Sequence, residues 1–176
     1  MIKNILIVIG IVIAAILIYA TTKPENFRIE RSVSIKAPAD KIFPYINDLH
    51  RWSAWSPYEN KDPALKRTFS GAQSGVGAVY AYEGKASVVG TGRLEITEST
   101  PPSKIVIQLD FLAPMEAHNT AVFTLQANGD MTNVTWAMYG PSNYFSKVMQ
   151  VFVSFDSMVG NDFQSGLLSL KAAAEK

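Results

Sequence analysis

Few side chains in this chain of 176 residues could catalyse a reaction or hold a metal ion. The chain has no cysteine and only two histidines, His50 and His118, which lie far apart in the sequence. The lack of cysteine excludes disulfides, thiolate metal sites and cysteine nucleophiles, and no histidine pair has the spacing of a zinc motif. The sequence therefore predicts neither a metal site nor a cofactor.

One set of polar residues is a candidate for acid–base chemistry. His118 and Glu83 fall at the ends of predicted strands, where they could act with Arg93 or Tyr139. A general base must lie within hydrogen-bond reach of the proton that it removes, and nothing in the sequence brings these residues together. Solvated polar groups at strand ends are the favoured interpretation, so the catalytic residues stay unassigned.

Aromatic and methionine side chains are stronger candidates, and the activity that they would support is binding of an apolar molecule. Tyr80, Tyr82, Phe111, Trp136 and Met138 occupy alternating positions in predicted strands. Because alternate residues of a strand share a face, the inward members could line a cavity with apolar walls and a few hydroxyls. A solid core is an equally good interpretation.

Five further residues complete the candidate ligand site. Trp52 and Trp55 predict either an aromatic lip at a cavity mouth or a membrane-facing loop, although core packing is the commoner role of large aromatics. Phe152 and Phe155 lie on the apolar stripe of the last predicted helix. An unpaired inward carboxylate is costly. Asp156 is therefore predicted either to face a polar pocket floor or to lie at the edge of that stripe. The candidate ligand-binding residues are therefore Trp52, Trp55, Tyr80, Tyr82, Phe111, Trp136, Met138, Phe152, Phe155 and Asp156.

Strands that position these residues are predicted from period-two alternation and turn residues. The predicted strands are Phe27–Ile35, Leu65–Ser70, Val76–Glu83, Ala86–Glu98, Lys104–Phe111, His118–Gln126 and Met131–Tyr139. The short connections between the last six favour an antiparallel meander. Gly90 and Gly92 predict a bulge or a strong bend.

Two helical segments accompany the strands. Pro38 suits the first turn of a short amphipathic helix. Apolar residues recur every three or four positions from Phe145 to Leu170 and predict one long C-terminal helix, with Ser142 as its N-cap and a kink at Gly160 or Gly166. The expected fold class is α+β, with a curved seven-stranded antiparallel sheet wrapped around the long C-terminal helix.

The first segment of the chain is expected to lie outside the globular domain. Ile5 to Ala20 form an unbroken apolar run of about 24 Å at ~1.5 Å per residue. Flanking Asn4 and Thr21 extend it towards the ~30 Å hydrocarbon core of a bilayer. Ile18 is a poor match to a signal-peptidase site, so an uncleaved single-pass anchor is favoured. The predicted organisation is an anchor at 1–22, a linker at 23–26 and one domain at 27–174.

The charge distribution limits the possible partners and gives weak evidence on the orientation of the anchor. The formal net charge is +1 and no basic cluster is visible, so no nucleic-acid partner is predicted. A short basic tail with Lys3 precedes the apolar run, as in an export signal, and we expect the body on the outer side of the membrane. The basic residues Lys23, Arg28 and Arg31 after the run favour the opposite orientation.

The order of elements and several local motifs resemble the START-related helix-grip superfamily called SRPBCC, in its polyketide cyclase/dehydrase branch. The motifs are Phe27–Ile35 with Ala37-Pro38, Ile42–Asp48, Trp52–Pro57, Phe69–Gly71, Gly75–Gly77, Gly92–Glu98 and Thr135-Trp136. The resemblance implies a cavity between the sheet and the last helix that accepts apolar small molecules. It implies no catalytic residue, because no catalytic motif of the family maps onto this chain.

The favoured function is a membrane-tethered domain that binds a hydrophobic small molecule or lipid without covalent chemistry. Its partners would be that molecule and the membrane that the N-terminal helix enters. Two alternatives stay open. One is an enzyme of the cyclase, dehydratase or hydrolase kind, which needs titratable groups inside the cavity. The other is a protein-interaction module in the manner of chaperone activators, which predicts a filled core and an exposed apolar patch.

Overall fold

The computed structural model describes all residues from Met1 to Lys176. Two short 3₁₀ helices span Leu49–Ala54 and Pro57–Asn60. The α-helices are α1 (Ile2–Thr21), α2 (Ala39–Asn47), α3 (Tyr144–Phe152) and α4 (Phe155–Ala174). The strands are β1 (Asn26–Ile35), β2 (Lys66–Gly71), β3 (Ala78–Glu83), β4 (Thr91–Thr100), β5 (Lys104–Ala113), β6 (Ala117–Asn128) and β7 (Met131–Pro141).

The strands form one antiparallel sheet of seven in the order β1-β7-β6-β5-β4-β3-β2. β2 to β7 are successive neighbours, as the short connections of a meander require. β1 pairs with the far edge of β7, where Asn26 faces Pro141 and Ile35 faces Thr132. Buried residues alternate with more exposed ones, as around Phe123 in β6, so one face of the sheet (the inner face) meets the helices. The predicted α+β fold with an antiparallel meander is confirmed.

Strand β4 begins later than the sequence predicts. The predicted strand started at Ala86, whereas β4 starts at Thr91, because the preceding residues form a turn with backbone hydrogen bonds to the Lys85 carbonyl. Gly90 closes this turn with a φ of +67°, a left-handed conformation that favours glycine. A register shift between Thr91 and Gly92 confirms the predicted irregularity at the glycines.

The C-terminal helical segment is two helices, so the prediction of one continuous helix was wrong. α3 ends at Phe152, and Val153 is extended with φ −133° and ψ 131°. Ser154 then caps α4, because its side chain accepts a hydrogen bond from the Ser157 N–H at 3.2 Å. Such a cap satisfies one of the free N–H groups at the start of a helix. The break therefore comes from a new helix start rather than from a flexible glycine.

Neither of the two glycines considered as kink sites interrupts α4, which runs unbroken from Phe155 to Ala174. Gly160 and Gly166 are close-packing points inside α4: a Cβ at Gly160 would overlap the Arg31 guanidinium, and one at Gly166 would lie 3.0 Å from the Trp136 ring. The predicted N-cap is also corrected by one residue. Asn143 rather than Ser142 caps α3, and its side chain accepts a hydrogen bond from the Ser146 N–H at 2.8 Å.

The core lies between the inner face of the sheet and the packed surfaces of α2, the 3₁₀ segments and α4. Trp136 of β7 stacks on Phe163 of α4 with ring centroids 3.9 Å apart and planes 9° apart. Phe123 stacks on the other side of this pair, 5.0 Å from Trp136. Leu167 and Leu170, one and two turns further along α4, have no exposed surface. This part of the interior is packed solid.

Helix α1 extends from the globular domain and is almost entirely exposed. Its C-terminal end nevertheless touches the domain, because Ala20 is 0% exposed and the Tyr144 hydroxyl donates to the Leu17 carbonyl at 3.0 Å. By length and composition α1 suffices to cross a membrane, a property that it shares with signal sequences.

The stack of Trp136 on Phe163 predicts where the fold is most sensitive. Phe163→Ala should lower the free energy of unfolding by about 3–5 kcal/mol, because it leaves a cavity in a solid core. Leu168→Ala on the same helix is the control, and since that side chain is 51% exposed, it should change the free energy by less than about 0.5 kcal/mol. Urea unfolding of the full chain in detergent micelles measures both, and equal losses would contradict the assignment of the core.

Candidate ligand-binding site

Burial of the inner face decreases towards the end of the sheet where α1 joins β1. In the middle of the sheet Ile107 and Phe123 have no exposed surface. Nearer to α1 the inward-facing Phe27, Tyr82 and Leu109 are only half-buried, although they pack against the same core. The helices therefore cover the inner face incompletely at this end, which we call the open end.

Polar atoms at the open end lie among apolar side chains. Tyr82 is half-buried, and burial raises its pKa to about 12, so its hydroxyl keeps its proton and can donate a hydrogen bond. Asn119 is only 7% exposed, and its Oδ1 atom has no hydrogen-bond partner in the protein. A buried acceptor without a partner is rare and costly. The open end thus offers an apolar wall with one hydroxyl donor, and the unpartnered Asn119 oxygen lies buried against Gly140 beside it.

A groove of about 590 Å³ lies beside the open end, between the start of β1 and the break that separates α3 from α4. Its walls come from the linker with the first residues of β1 and from Gln150 to Asp156. Phe155 meets Phe27 edge to face across it, with ring centroids 6.4 Å apart. The groove has the volume of an ordinary small-molecule site.

Arg31 and Asp156 join the two walls of this groove. The guanidinium donates from Nη1 and Nη2 to the two carboxylate oxygens of Asp156, at 2.9 Å each. It also donates to the Asp156 carbonyl at 3.2 Å. The guanidinium holds the pKa of Asp156 below its ordinary value, so the carboxylate stays charged. Asp156 therefore lies in the groove wall as a paired, exposed anion in the first turn of α4, where the helix dipole favours it.

Trp52 and Trp55, for which the sequence left a cavity lip open beside the commoner core packing, lie in the core. Trp52 and Trp55 are both buried, and their indole N–H groups donate to the carbonyls of Ile46 at 3.0 Å and Tyr45 at 2.8 Å. These bonds fix the rings between α2 and the inner face, so an exposed lip is not formed. Their contact with a ligand stays a prediction.

The remaining predicted ligand residues divide between the core and the open end. Trp136 and Met138 are buried, and Phe152 is exposed at the end of α3. Phe111 and Phe155 are half-buried near the open end. The structure therefore brings Tyr82, Phe111, Phe155 and Asp156 towards one end, and it separates them from the solid half of the core.

A buried ionic cluster surrounds Glu59, and no sequence pattern predicted it. The Glu59 carboxylate accepts hydrogen bonds from Arg67 Nε at 2.6 Å and from the Tyr80 hydroxyl at 2.7 Å. Burial and the neighbouring carboxylate raise the pKa of Tyr80. Tyr80 was a predicted cavity residue, but its hydroxyl is occupied by this structural hydrogen bond. No spacing signal links these residues, because the 3₁₀ segment, β2 and β3 meet only in the folded chain.

The residues considered for acid–base chemistry lie on the outer face of the sheet. His118 Nδ1 is 2.7 Å from Asp110, and Arg93 is 3.6 Å from the same carboxylate. This contact raises the pKa of His118 and lowers that of Asp110. Glu83 is not part of the cluster and pairs with Lys66 at 3.5 Å. An exposed network on the outer face does not reach a molecule held by the inner face.

A second groove of about 310 Å³ lies between the 3₁₀ segments and α4. Its walls are mainly polar, and the Lys61 ammonium bridges it to Asp162 at 2.6 Å. An apolar molecule would lose little contact with water here, so this groove is a poorer match to the inner-face residues than the open end.

A family model described as polyketide cyclase / dehydrase and lipid transport matches residues 26–175. The chain belongs to this family. The match begins at the first residue of β1 and ends one residue after α4, so it covers the sheet and its helices and leaves α1 outside. No curated protein matches the sequence.

Several solved structures share the fold of this family member at low identity. The di-domain aromatase/cyclase BexL from the BE-7585A biosynthetic pathway is 16% identical with a TM-score of 0.63, over 90% of this chain and 53% of that one. Ginseng major latex-like protein 151 from Panax ginseng is 13% identical with a TM-score of 0.62, over 87% and 100%. The Aha1 dimer from Colwellia psychrerythraea is 19% identical with a TM-score of 0.60, over 85% and 96%. At these identities the likeness shows the helix-grip fold alone.

The Glu59 cluster generates a stability prediction. Glu59→Gln should lower the free energy of unfolding by about 2 kcal/mol, because it removes a charged acceptor and leaves Arg67 without its anion. Glu95→Gln is the control, since Glu95 pairs with Arg93 at the exposed outer face and should cost less than about 1 kcal/mol. Urea titration of both variants in micelles compares them. A larger loss in the control would contradict a structural role for Glu59.

Proposed function

We propose that this protein is a membrane-tethered domain that binds a hydrophobic small molecule or lipid at the open end of the inner face. The observation that carries the proposal is the set of half-buried apolar residues around Tyr82 and Leu109 beside the unpartnered Oδ1 of Asn119. Apolar walls with a few placed polar groups are typical of small-molecule sites. The family description, which includes lipid transport, is consistent with this chemistry.

The site that we propose is smaller than the whole space between sheet and helix. The stack of Trp136 on Phe163 occupies the space between β7 and the middle of α4. A ligand would instead contact Phe27, Tyr82 and Leu109 and extend into the groove beside Phe155. Asn119 Oδ1 is buried against Gly140, so a ligand hydroxyl or amide N–H would reach it only after the Asn119 side chain turned towards the open end.

The tether in this proposal is α1. Its 20 residues give about 30 Å at ~1.5 Å per residue, the thickness of the hydrocarbon core. The organisation would then be an anchor at 1–22, a linker at 23–26 and the binding domain at 27–174. A tether of this kind keeps the open end beside the phase into which apolar ligands partition.

Native mass spectrometry of the full chain released from micelles tests binding. The wild-type chain should carry a discrete small-molecule adduct, and Leu109→Trp should lose it because the indole fills the open end. Leu168→Trp adds the same group to an exposed position of α4 and should keep the adduct. Circular dichroism checks that both variants are folded. An unliganded wild-type chain, or an adduct that survives in Leu109→Trp, would contradict the proposed site.

The orientation of the tether is tested by reporter fusions at the C-terminus in bacterial cells. Because the short basic tail before α1 is typical of export signals, an alkaline phosphatase fusion should be active, since this enzyme folds only after export. A β-galactosidase fusion should be inactive. The reverse pattern would place the body in the cytoplasm. It would not bear on the location of the proposed ligand site.

A further inference from the structure

Helix α3 turns its apolar side chains away from the protein. Phe145, Met149 and Phe152 are 53%, 38% and 64% exposed, and their spacing of four and three residues puts them on one face. On another side of the helix, Gln150 Nε2 donates to Ser142 Oγ at 3.3 Å. A surface helix of a soluble domain normally presents its apolar stripe to the core. The exposed stripe of α3 therefore suits an apolar surface outside the domain.

The position of α3 relative to α1 indicates what that surface is. The Tyr144 hydroxyl at the start of α3 bonds the carbonyl of Leu17, four residues before α1 ends at Thr21. At ~1.5 Å per residue this contact lies about 6 Å from the end of α1. Lys23 Nζ lies 4.7 Å above the Tyr19 ring at the same end. Tyrosine and lysine are typical of the membrane–water interface. This end of α1 therefore has the residues expected where a helix leaves the bilayer.

Other exposed apolar side chains gather at the same end of the sheet. The hairpin between β5 and β6 exposes Leu112 and Met115. β6 begins beside the end of β7, where Thr120 pairs with Tyr139, so this hairpin lies near the start of α3. Outside α1, the exposed large apolar residues away from this end are Phe69, Val76 and Leu168. The apolar surface is therefore concentrated where α1 leaves the domain.

We infer that α3 lies in the boundary between the headgroups and acyl chains of the membrane that α1 enters, with its Phe145–Met149–Phe152 face in the lipid. The inference rests on the tether in the proposed function and adds a second membrane contact. Interfacial helices bury their apolar face about 5–10 Å deep, the depth at which the bond between Tyr144 and Leu17 holds α3. The groove formed by Gln150 to Asp156 then opens at the bilayer surface. An apolar ligand passes between lipid and protein there without crossing water.

Spin labels on the full chain in phosphatidylcholine vesicles test this arrangement. The chain has no cysteine, so single labels can be attached after Phe145→Cys, Met149→Cys or Phe152→Cys. Collisions with oxygen report lipid, and collisions with a water-soluble nickel chelate report water. The three α3 labels should collide several-fold more often with oxygen than with nickel. Leu168→Cys, an exposed apolar position on α4, should show the opposite preference, and Ile9→Cys in α1 should report lipid.

Three outcomes would overturn the inference, and they differ in what else they affect. Nickel-accessible α3 labels with a lipid-exposed Ile9 label would place α3 in water while the tether stands. A nickel-accessible Ile9 label would remove the tether itself and with it this inference. Low collision rates with both reagents at α3 would show that protein, such as a second copy of the chain, covers the face. Ligand retention in native mass spectrometry is independent of all three results.

Discussion

The stack of Trp136 on Phe163 is the contact on which the architecture depends. It joins the centre of β7 to the middle of α4 and holds that helix against the inner face, with Phe123 completing the aromatic layer. Close approach requires Gly166, since a Cβ there would lie 3.0 Å from the Trp136 ring. These rings fill the space between β7 and α4 at this level of the sheet. A free volume that suits an apolar ligand lies towards the N-terminal end of α4.

The helix break at Val153 and Ser154 gives that end its properties. α4 stays with the core through the Arg31–Asp156 pair, whereas α3 leaves the sheet and contacts α1. The groove, the unpartnered Asn119 oxygen and the exposed stripe of α3 therefore lie at the end of the domain where α1 joins β1. The proposed binding site and the proposed membrane contact would then share one end, which suits a ligand that is delivered from lipid. The His118–Asp110 pair lies on the outer face of the sheet, away from this groove.

The strands, their antiparallel order and the α+β class were predictable because period-two alternation and turn residues act locally. The break between α3 and α4 was not, since Phe152 and Phe155 continue the three-to-four spacing across it, and only the Ser154 cap marks a new helix. No sequence pattern decided whether Trp52 and Tyr80 would lie in the core. Whether an aromatic residue lines a cavity or fills a core depends on which partner the tertiary fold brings to it, such as Ile46 or Glu59.

The position of a bound molecule tests the account most directly. In the full chain with selectively labelled methyl groups, nuclear Overhauser effects between protein methyls and a bound apolar probe such as a fatty acid would locate the ligand. Contacts are expected from the Leu109 methyls at the open end and none from Leu167, which has no exposed surface. Contacts from Leu167, or from the exposed Leu168 alone, would contradict a site at the open end.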